Sequence, residues 1–244
     1  MSDHDSAGTA GDAADDAADD AAVERDLRAR FDVVEGTVRV AGRDVTLLRP
    51  RSADALISEA DFVNDERLPY WADVWPSSIV LAGHVAAMRG TGRRLLELGC
   101  GLGLVAAHAA RAGFDVLATD YYEDALRFAA LNVRRVAGVA PATLHLDWRA
   151  LPAELPRFDI VLASDVLYEP AYAELVADVL ARTLAPRGEA WIADPGRLAA
   201  GMFVDECARR GIQLERARRV PWVDGDIRQT ITLYRLWLPS RRPG

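Results

Sequence analysis

Lysine is absent from the 244 residues, and all 29 basic side chains are arginine. Alanine is abundant as well, so the bias reads as that of a GC-rich genome rather than as selection for arginine. Cysteine is scarce: Cys100 and Cys207 alone exclude a disulfide framework and a thiolate metal cluster. The four histidines (His4, His84, His108, His145) lack ligand spacing, so no metal site is expected. No apolar run is long enough to cross a bilayer, so no membrane partner is expected. The first residues carry neither the basic nor the apolar region of a secretory signal, and the simplest compartment is the cytoplasm.

An excess of positive charge is lacking too. The formal net charge is −8. Residues 1–24 hold eight acids and no base, and removing them leaves 29 acids against 29 arginines. A neutral body of this kind offers no face for nucleic acid. The acidic leader, 1–24, is mostly Ala, Asp, Gly and Ser, with too little apolar bulk to offset ordering entropy, so it is expected to be disordered.

The rest suits one substantial α/β domain, half of the chain being hydrophobic. Residues 25–90 read as an accessory segment. Within it, 34–49 alternate as two strands around a turn at Ala41-Gly42, 51–67 are charged and mixed and suggest a short helix, and 77–88 read as a helix capped by Ser77 or Ser78. Residues 91–240 read as the main domain. Strands are expected at 94–98, 114–119, 142–146, 158–163 and 188–193, and helices at 103–112, 123–137, 171–184 and 197–210. Apolar strands alternating with amphipathic helices imply a parallel sheet covered on both faces. Residues 212–217 and 227–238 have no helix between them and read as a terminal antiparallel hairpin, which brings the sheet to seven strands.

The most informative run is Leu95-Leu-Glu97-Leu-Gly99-Cys-Gly101-Leu-Gly103, followed by a second strand that ends in Asp120. Glycines at a strand-to-helix turn let a ligand approach the backbone. An acid at the tip of the neighbouring strand can accept hydrogen bonds from both hydroxyls of a ribose. The pair therefore predicts a nucleoside-type cofactor. Gly101-Leu-Gly103-Leu-Val-Ala106 also meets a loose dinucleotide pattern. Against that reading, Glu97 would repel a pyrophosphate and suits an amino-acid ammonium better. The motif also follows more than 90 residues of chain, and the terminal hairpin is foreign to a plain nucleotide fold.

Together with Asp147-Trp148 and Ala163-Ser164-Asp165, this run resembles the ordered motifs of class I S-adenosylmethionine-dependent methyltransferases over residues 94–237. The resemblance implies a seven-stranded doubly wound Rossmann-like sheet with a reversed last strand, and S-adenosylmethionine as cofactor. It places Gly99 and Gly101 by the methionine part of the donor, Asp120 on the ribose, Asp147 and Trp148 at the adenine, and Glu97, Ser164 and Trp75 among the donor-binding residues. Asp165-Val-Leu-Tyr168 is similar to the Asp-x-x-Tyr signature of the family-16 protein lysine methyltransferases. Pro69-Tyr-Trp-Ala-Asp-Val-Trp75 with Asp194-Pro-Gly-Arg197 is similar to the branch that acts on the electron-transfer flavoprotein β subunit. A lysine-free chain could not methylate lysines of its own.

That resemblance implies a protein lysine as methyl acceptor. The alternatives are a small amine or nicotinamide-like molecule, and a non-catalytic interaction protein that keeps the donor fold. Methyl transfer needs a deprotonated amine aligned with the breaking bond, and free lysine has a pKa of about 10.4. Asp165 is expected to orient the amine and receive its proton through water, Tyr168 to line the lysine channel, and Trp71 and Trp75 to wall the donor. Each of these has a structural competitor. Asp120 could cap the helix at 123–137 and Asp165 the helix that follows it. Trp71 and Trp75 could staple the N-terminal segment, Trp148 could anchor at the surface, and Arg197 could be a solvated helix-start residue. Cys100 is expected to be inert.

Overall fold

The computed structural model describes residues 8–56 and 69–239, with backbone alone over 8–17. Most of the 51–67 segment lies outside the described residues; within them, Asp54–Leu56 form a single 3-10 turn.

Seven strands form one sheet: β3 (Arg94–Leu98), β4 (Asp115–Asp120), β5 (Ala142–His145), β6 (Phe158–Ser164), β7 (Leu184–Asp194), β8 (Gln213–Asp224) and β9 (Ile227–Trp237). Their order is β5-β4-β3-β6-β7-β9-β8. The first five are parallel, β9 runs antiparallel to β7, and β8 closes the edge against β9. The chain winds outward from β3 to β5 and then restarts on the other side with β6. Strand order therefore reverses between β3 and β6, the place where open α/β sheets bind ligands.

The two faces carry separate cores. Leu95, Val105, Phe128 and Leu233 belong to one, Leu96, Leu98, Val161, Leu180 and Phe203 to the other. The alternation of Leu95 with Leu96 follows from the period of two along a strand. The first face is covered by α2 (Pro76–Val85), α3 (Leu104–Arg111) and α4 (Glu123–Ala137), the second by α5 (Pro170–Thr183) and α6 (Ala199–Arg209). The terminal hairpin is longer than expected: β8 persists beyond the expected 212–217 to Asp224, and only Gly225-Asp226 turn.

The N-terminal part departs from expectation. Residues 8–30 form a helix, α1 (Gly8–Arg30), where disorder was expected over 1–24. Alanine supplies helix propensity, and Leu27 is fully buried. Acids of this helix meet the arginines of α4: Asp20 with Arg134, Glu24 with Arg135, Asp26 with Arg127. Composition gave the charge but not its partners.

The expected hairpin is present as β1 (Val33–Val40) and β2 (Arg43–Pro50), turning at Ala41 and Gly42, both at positive φ. It is tied to the sheet by a fully buried amide, Asn132. Its Oδ1 accepts the Leu48 N–H at 2.7 Å, and its Nδ2 donates to the carbonyls of Leu48 and Leu102, each at 2.9 Å. Leu102 lies in the glycine turn, so one side chain joins the accessory hairpin to the loop that shapes the site.

Candidate active site

A cavity of about 410 Å³ opens at the carboxyl ends of the strands, over the reversal between β3 and β6. That volume falls within the usual range for small-molecule sites, roughly 300–1,000 Å³. One end is made mainly of backbone. Gly101 has φ +50°, and a Cβ there would lie 3.1 Å from the Trp71 carbonyl oxygen. Gly103 has φ +80°, and a Cβ would stand 2.8 Å from the Ala129 Cα, so its bareness lets α4 pack against the turn. Asp120 ends β4 and is 6% exposed. Its Oδ2 accepts the Gly101 N–H at 2.9 Å and its Oδ1 the Tyr122 N–H at 3.0 Å. Burial pushes its carboxyl above the ordinary range, and these N–H groups oppose that. Asp147 and half-buried Trp148 follow β5 on the same wall.

Of the eight residues expected around the donor, Trp75, Gly99, Gly101, Asp120, Asp147, Trp148 and Ser164 line this cavity. Glu97 does not. It is 1% exposed and sits on the α3 face of the sheet, held by the Ala106 N–H. Its Oε2 has no hydrogen-bond partner among the described residues. Burial, reinforced by the charge of Asp120, pushes it well above the carboxylate range. A free carboxylate for an ammonium was expected; the strand's alternation turns this side chain inward instead.

The other end is made of side chains. Trp75 donates its indole N–H to the Tyr70 carbonyl at 2.8 Å. The Tyr70 ring lies 5.9 Å from Trp75 and 5.6 Å from Tyr168, and Tyr168 lies 4.6 Å from Tyr172. Burial pushes the Tyr168 phenol up, so it keeps its proton at neutral pH. Asp165 lies between β6 and α5 with φ +58°, a left-handed conformation that aspartate tolerates better than most residues. Its side chain is 6% exposed. Oδ1 receives two N–H bonds from Arg197, at 2.7 and 2.9 Å, and Oδ2 accepts the Ser77 hydroxyl at 3.1 Å.

This arrangement resolves the competing roles. The N-cap of α4 is Tyr122 and that of α5 is Glu169, so neither Asp120 nor Asp165 caps a helix. The N-cap of α2 is Trp75, with Pro76 at the first helical position; Ser77, expected as a cap, is buried in the first turn and faces Asp165. Trp71 does staple the N-terminal segment: its ring lies 6.3 Å from Phe31 and 5.6 Å from Phe128, while its backbone borders Gly101. Arg197 is not a solvated helix start but the partner of Asp165, aimed by a turn in which the Asp194 Oδ1 accepts the N–H groups of Gly196 and Arg197, each at 2.7 Å. Cys100 lines the cavity, and burial pushes its thiol well up, which fits an inert residue. Tyr70 and Tyr172 were not singled out in the sequence, and Ser77 was read only as a helix cap. Only Tyr70 had a signal, its place in the Pro69–Trp75 run.

Residues 96–190 match the family model described as a methyltransferase domain. The sheet with its reversed last strand and this match make the chain similar to class I methyltransferases and, in sequence, to protein lysine methyltransferases among them. The electron transfer flavoprotein beta subunit lysine methyltransferase of Danio rerio is 28% identical over 59% of this chain and 55% of its own length. The histone-arginine methyltransferase METTL23 of Homo sapiens is 34% identical over 44% of this chain and 59% of its own. The chain thus spans between half and three fifths of the length of these relatives. Among solved structures, the N-methyltransferase NodS from Bradyrhizobium japonicum WM9, in complex with S-adenosyl-l-homocysteine, superposes with a TM-score of 0.58 at 17% identity, covering 77% of this chain and 98% of that one.

Proposed function

We propose that this protein transfers the methyl group of S-adenosylmethionine to a lysine side-chain amine of another protein. The observation that carries the reading is a single cavity with two unlike ends. The backbone-lined end fits the donor. Gly99 and Gly101 leave the turn bare, Asp120 presents a carboxyl at the strand tip for the ribose, and Trp148 offers a ring for the adenine. Donor binding, by supplying a methyl group on a sulfonium, would add positive charge that favours the neutral form of an incoming amine.

The side-chain end would then take the acceptor. Tyr70, Trp75 and Tyr168 present ring faces on which an ammonium or its alkyl stem can pack. Asp165, held in place by Arg197 and Ser77, keeps capacity to accept an N–H and so align the amine. With three donors already engaged, it serves better to orient than to store the proton, which can leave through water. The lysine acceptor rests on the Asp165–Tyr168 signature and on the names of the relatives.

Two measurements test the reading. Calorimetry with S-adenosylhomocysteine is expected to show binding; its absence would remove the donor assignment. Transfer of labelled methyl groups into a lysate of the source organism, resolved by mass, is expected to mark protein. Label confined to low-mass material would instead assign a small amine.

A further inference from the structure

The cavity has a neighbour. An open depression of about 530 Å³ lies beyond Trp75 and Asp165, which line both. One wall is the Pro195-Gly196-Arg197 turn, the other the start of β9 at Arg228, Gln229 and Thr230. The chain beside each wall is apolar and exposed. Leu198, directly after Arg197, is 94% exposed, and Met202, one helical turn on, is 50% exposed. Val223, opposite Arg228 in the hairpin register, and Ile227, directly before it, are 55% and 56% exposed.

Eight large hydrophobic side chains are exposed among the described residues. Four of them lie beside its wall residues in the chain or in the hairpin register, and two more, Tyr70 and Tyr168, line the acceptor end of the cavity. Such clustering is unlike the single scattered apolar residues of an ordinary surface, and an apolar patch rimmed by charge marks a binding face. The charge within it is also uneven: Arg197 is spent on Asp165, while Arg228 has no acidic partner among the described residues. A small amine bound beside Tyr168 would touch none of this surface.

We propose that the depression seats the polypeptide on either side of the target lysine, with apolar side chains of the acceptor protein against Leu198, Met202 and Val223 and an acceptor carboxylate against Arg228. This rests on the protein-acceptor reading above. Continuity through Trp75 and Asp165 supports it, because a chain whose amine reaches Asp165 must leave the cavity past one of its rims. Apolar anchors ringed by polar contacts are what supply binding strength at such faces.

The test compares L198E/M202E and R228E with the native chain in two assays. These are S-adenosylhomocysteine binding by calorimetry and labelled methyl incorporation into lysate protein at limiting enzyme. Donor affinity is expected to stay within about twofold, showing that the variants fold. Incorporation into protein is expected to fall about tenfold or more for L198E/M202E and several-fold for R228E. Native-level incorporation by both variants would overturn the docking site while leaving the lysine reading intact. Label confined to low-mass material with the native chain would overturn that reading and this one together. A native dimer in sedimentation that L198E/M202E dissociates would assign the patch to a second copy and likewise overturn it.

Discussion

The two ends of the cavity are built on different principles. The donor end is short-range: its turn and acids come from 97–103, 120 and 146–148, and its shape is fixed by glycine backbones packed against the Trp71 backbone and α4. The acceptor end is long-range: Tyr70 and Ser77 meet Asp165 and Tyr168 across some ninety residues, and Arg197 arrives from beyond β7. A backbone-built site changes little when side chains drift, so one donor pocket can serve many acceptors. A site assembled from side chains of a helix start and several loops can be rebuilt without disturbing the sheet, and the proposed function puts acceptor specificity there.

The most direct way to break the donor end alone is Asp120→Ala. If Asp120 bonds both ribose hydroxyls, the loss of two hydrogen bonds to a charged group, each contributing about 1.5–3 kcal/mol, weakens S-adenosylhomocysteine by about a hundredfold or more. Calorimetry measures it. An affinity within about threefold of the native value would place the ribose elsewhere and make Asp120 a structural acceptor for the Gly101 and Tyr122 N–H groups.

Asp165→Asn is the matching cut at the acceptor end, and a smaller one. The amide keeps the shape but loses the charge that Arg197 and the amine share, so kcat is expected to fall roughly ten- to a hundredfold. Donor affinity is expected to stay within about threefold. Arg197→Ala removes the partner of a carboxylate 6% exposed. Because Arg197 itself is 38% exposed, the stability lost is about 1–2 kcal/mol, below that of a fully buried pair. Thermal melting and steady-state kinetics separate the two effects. A donor affinity that fell together with kcat would show that the ends are not independent.

The same contrast decides what could be read without coordinates. The strands of the sheet, the 123–137 helix and the glycine turn announce themselves within a few residues, because period, capping glycine and strand-tip acid are local signals. Seven of the residues expected around the donor, read from the same signals, line the cavity. Glu97 does not, since a strand's alternation decides which face an acid takes and the motif is silent about it. Asn132 is invisible for a related reason: an asparagine in an amphipathic helix looks like any polar residue until Leu48 and Leu102, which share its three hydrogen bonds, fold around it. At the acceptor end Asp165 and Tyr168 were legible, but Ser77 was read as a helix cap and Arg197 as solvated. Their partnership with Asp165 joins a helix start and two loops, which no spacing encodes. The helix at 8–30 failed in the opposite direction, because an Ala- and Asp-rich composition gave no sign of the arginines waiting on α4.

The smallest expected effect sharpens the contrast within the donor end itself, where Asp120 faces the cavity and Glu97 lies beneath it. Burial raises the Glu97 carboxyl well above its ordinary value, so the folded chain holds that proton more tightly than the unfolded chain does. The stability this supplies is complete below the unfolded value of about 4.3 and drains away as pH climbs through the higher folded value. Glu97→Gln is neutral at every pH and lacks this loss. The difference in Tm, variant minus native, is therefore expected to grow from pH 5 to pH 9, measured without donor. Asp120 and Asp194 are raised in the same direction and keep part of the slope in both proteins. Even one pKa unit corresponds to about 1.4 kcal/mol, or roughly 3–5 °C in a chain of this size. A difference that stayed flat or shrank with pH would mean that Glu97 is ionised in its buried seat. It would then be a carboxylate held ready beneath the glycine turn, as its position in the motif first suggested.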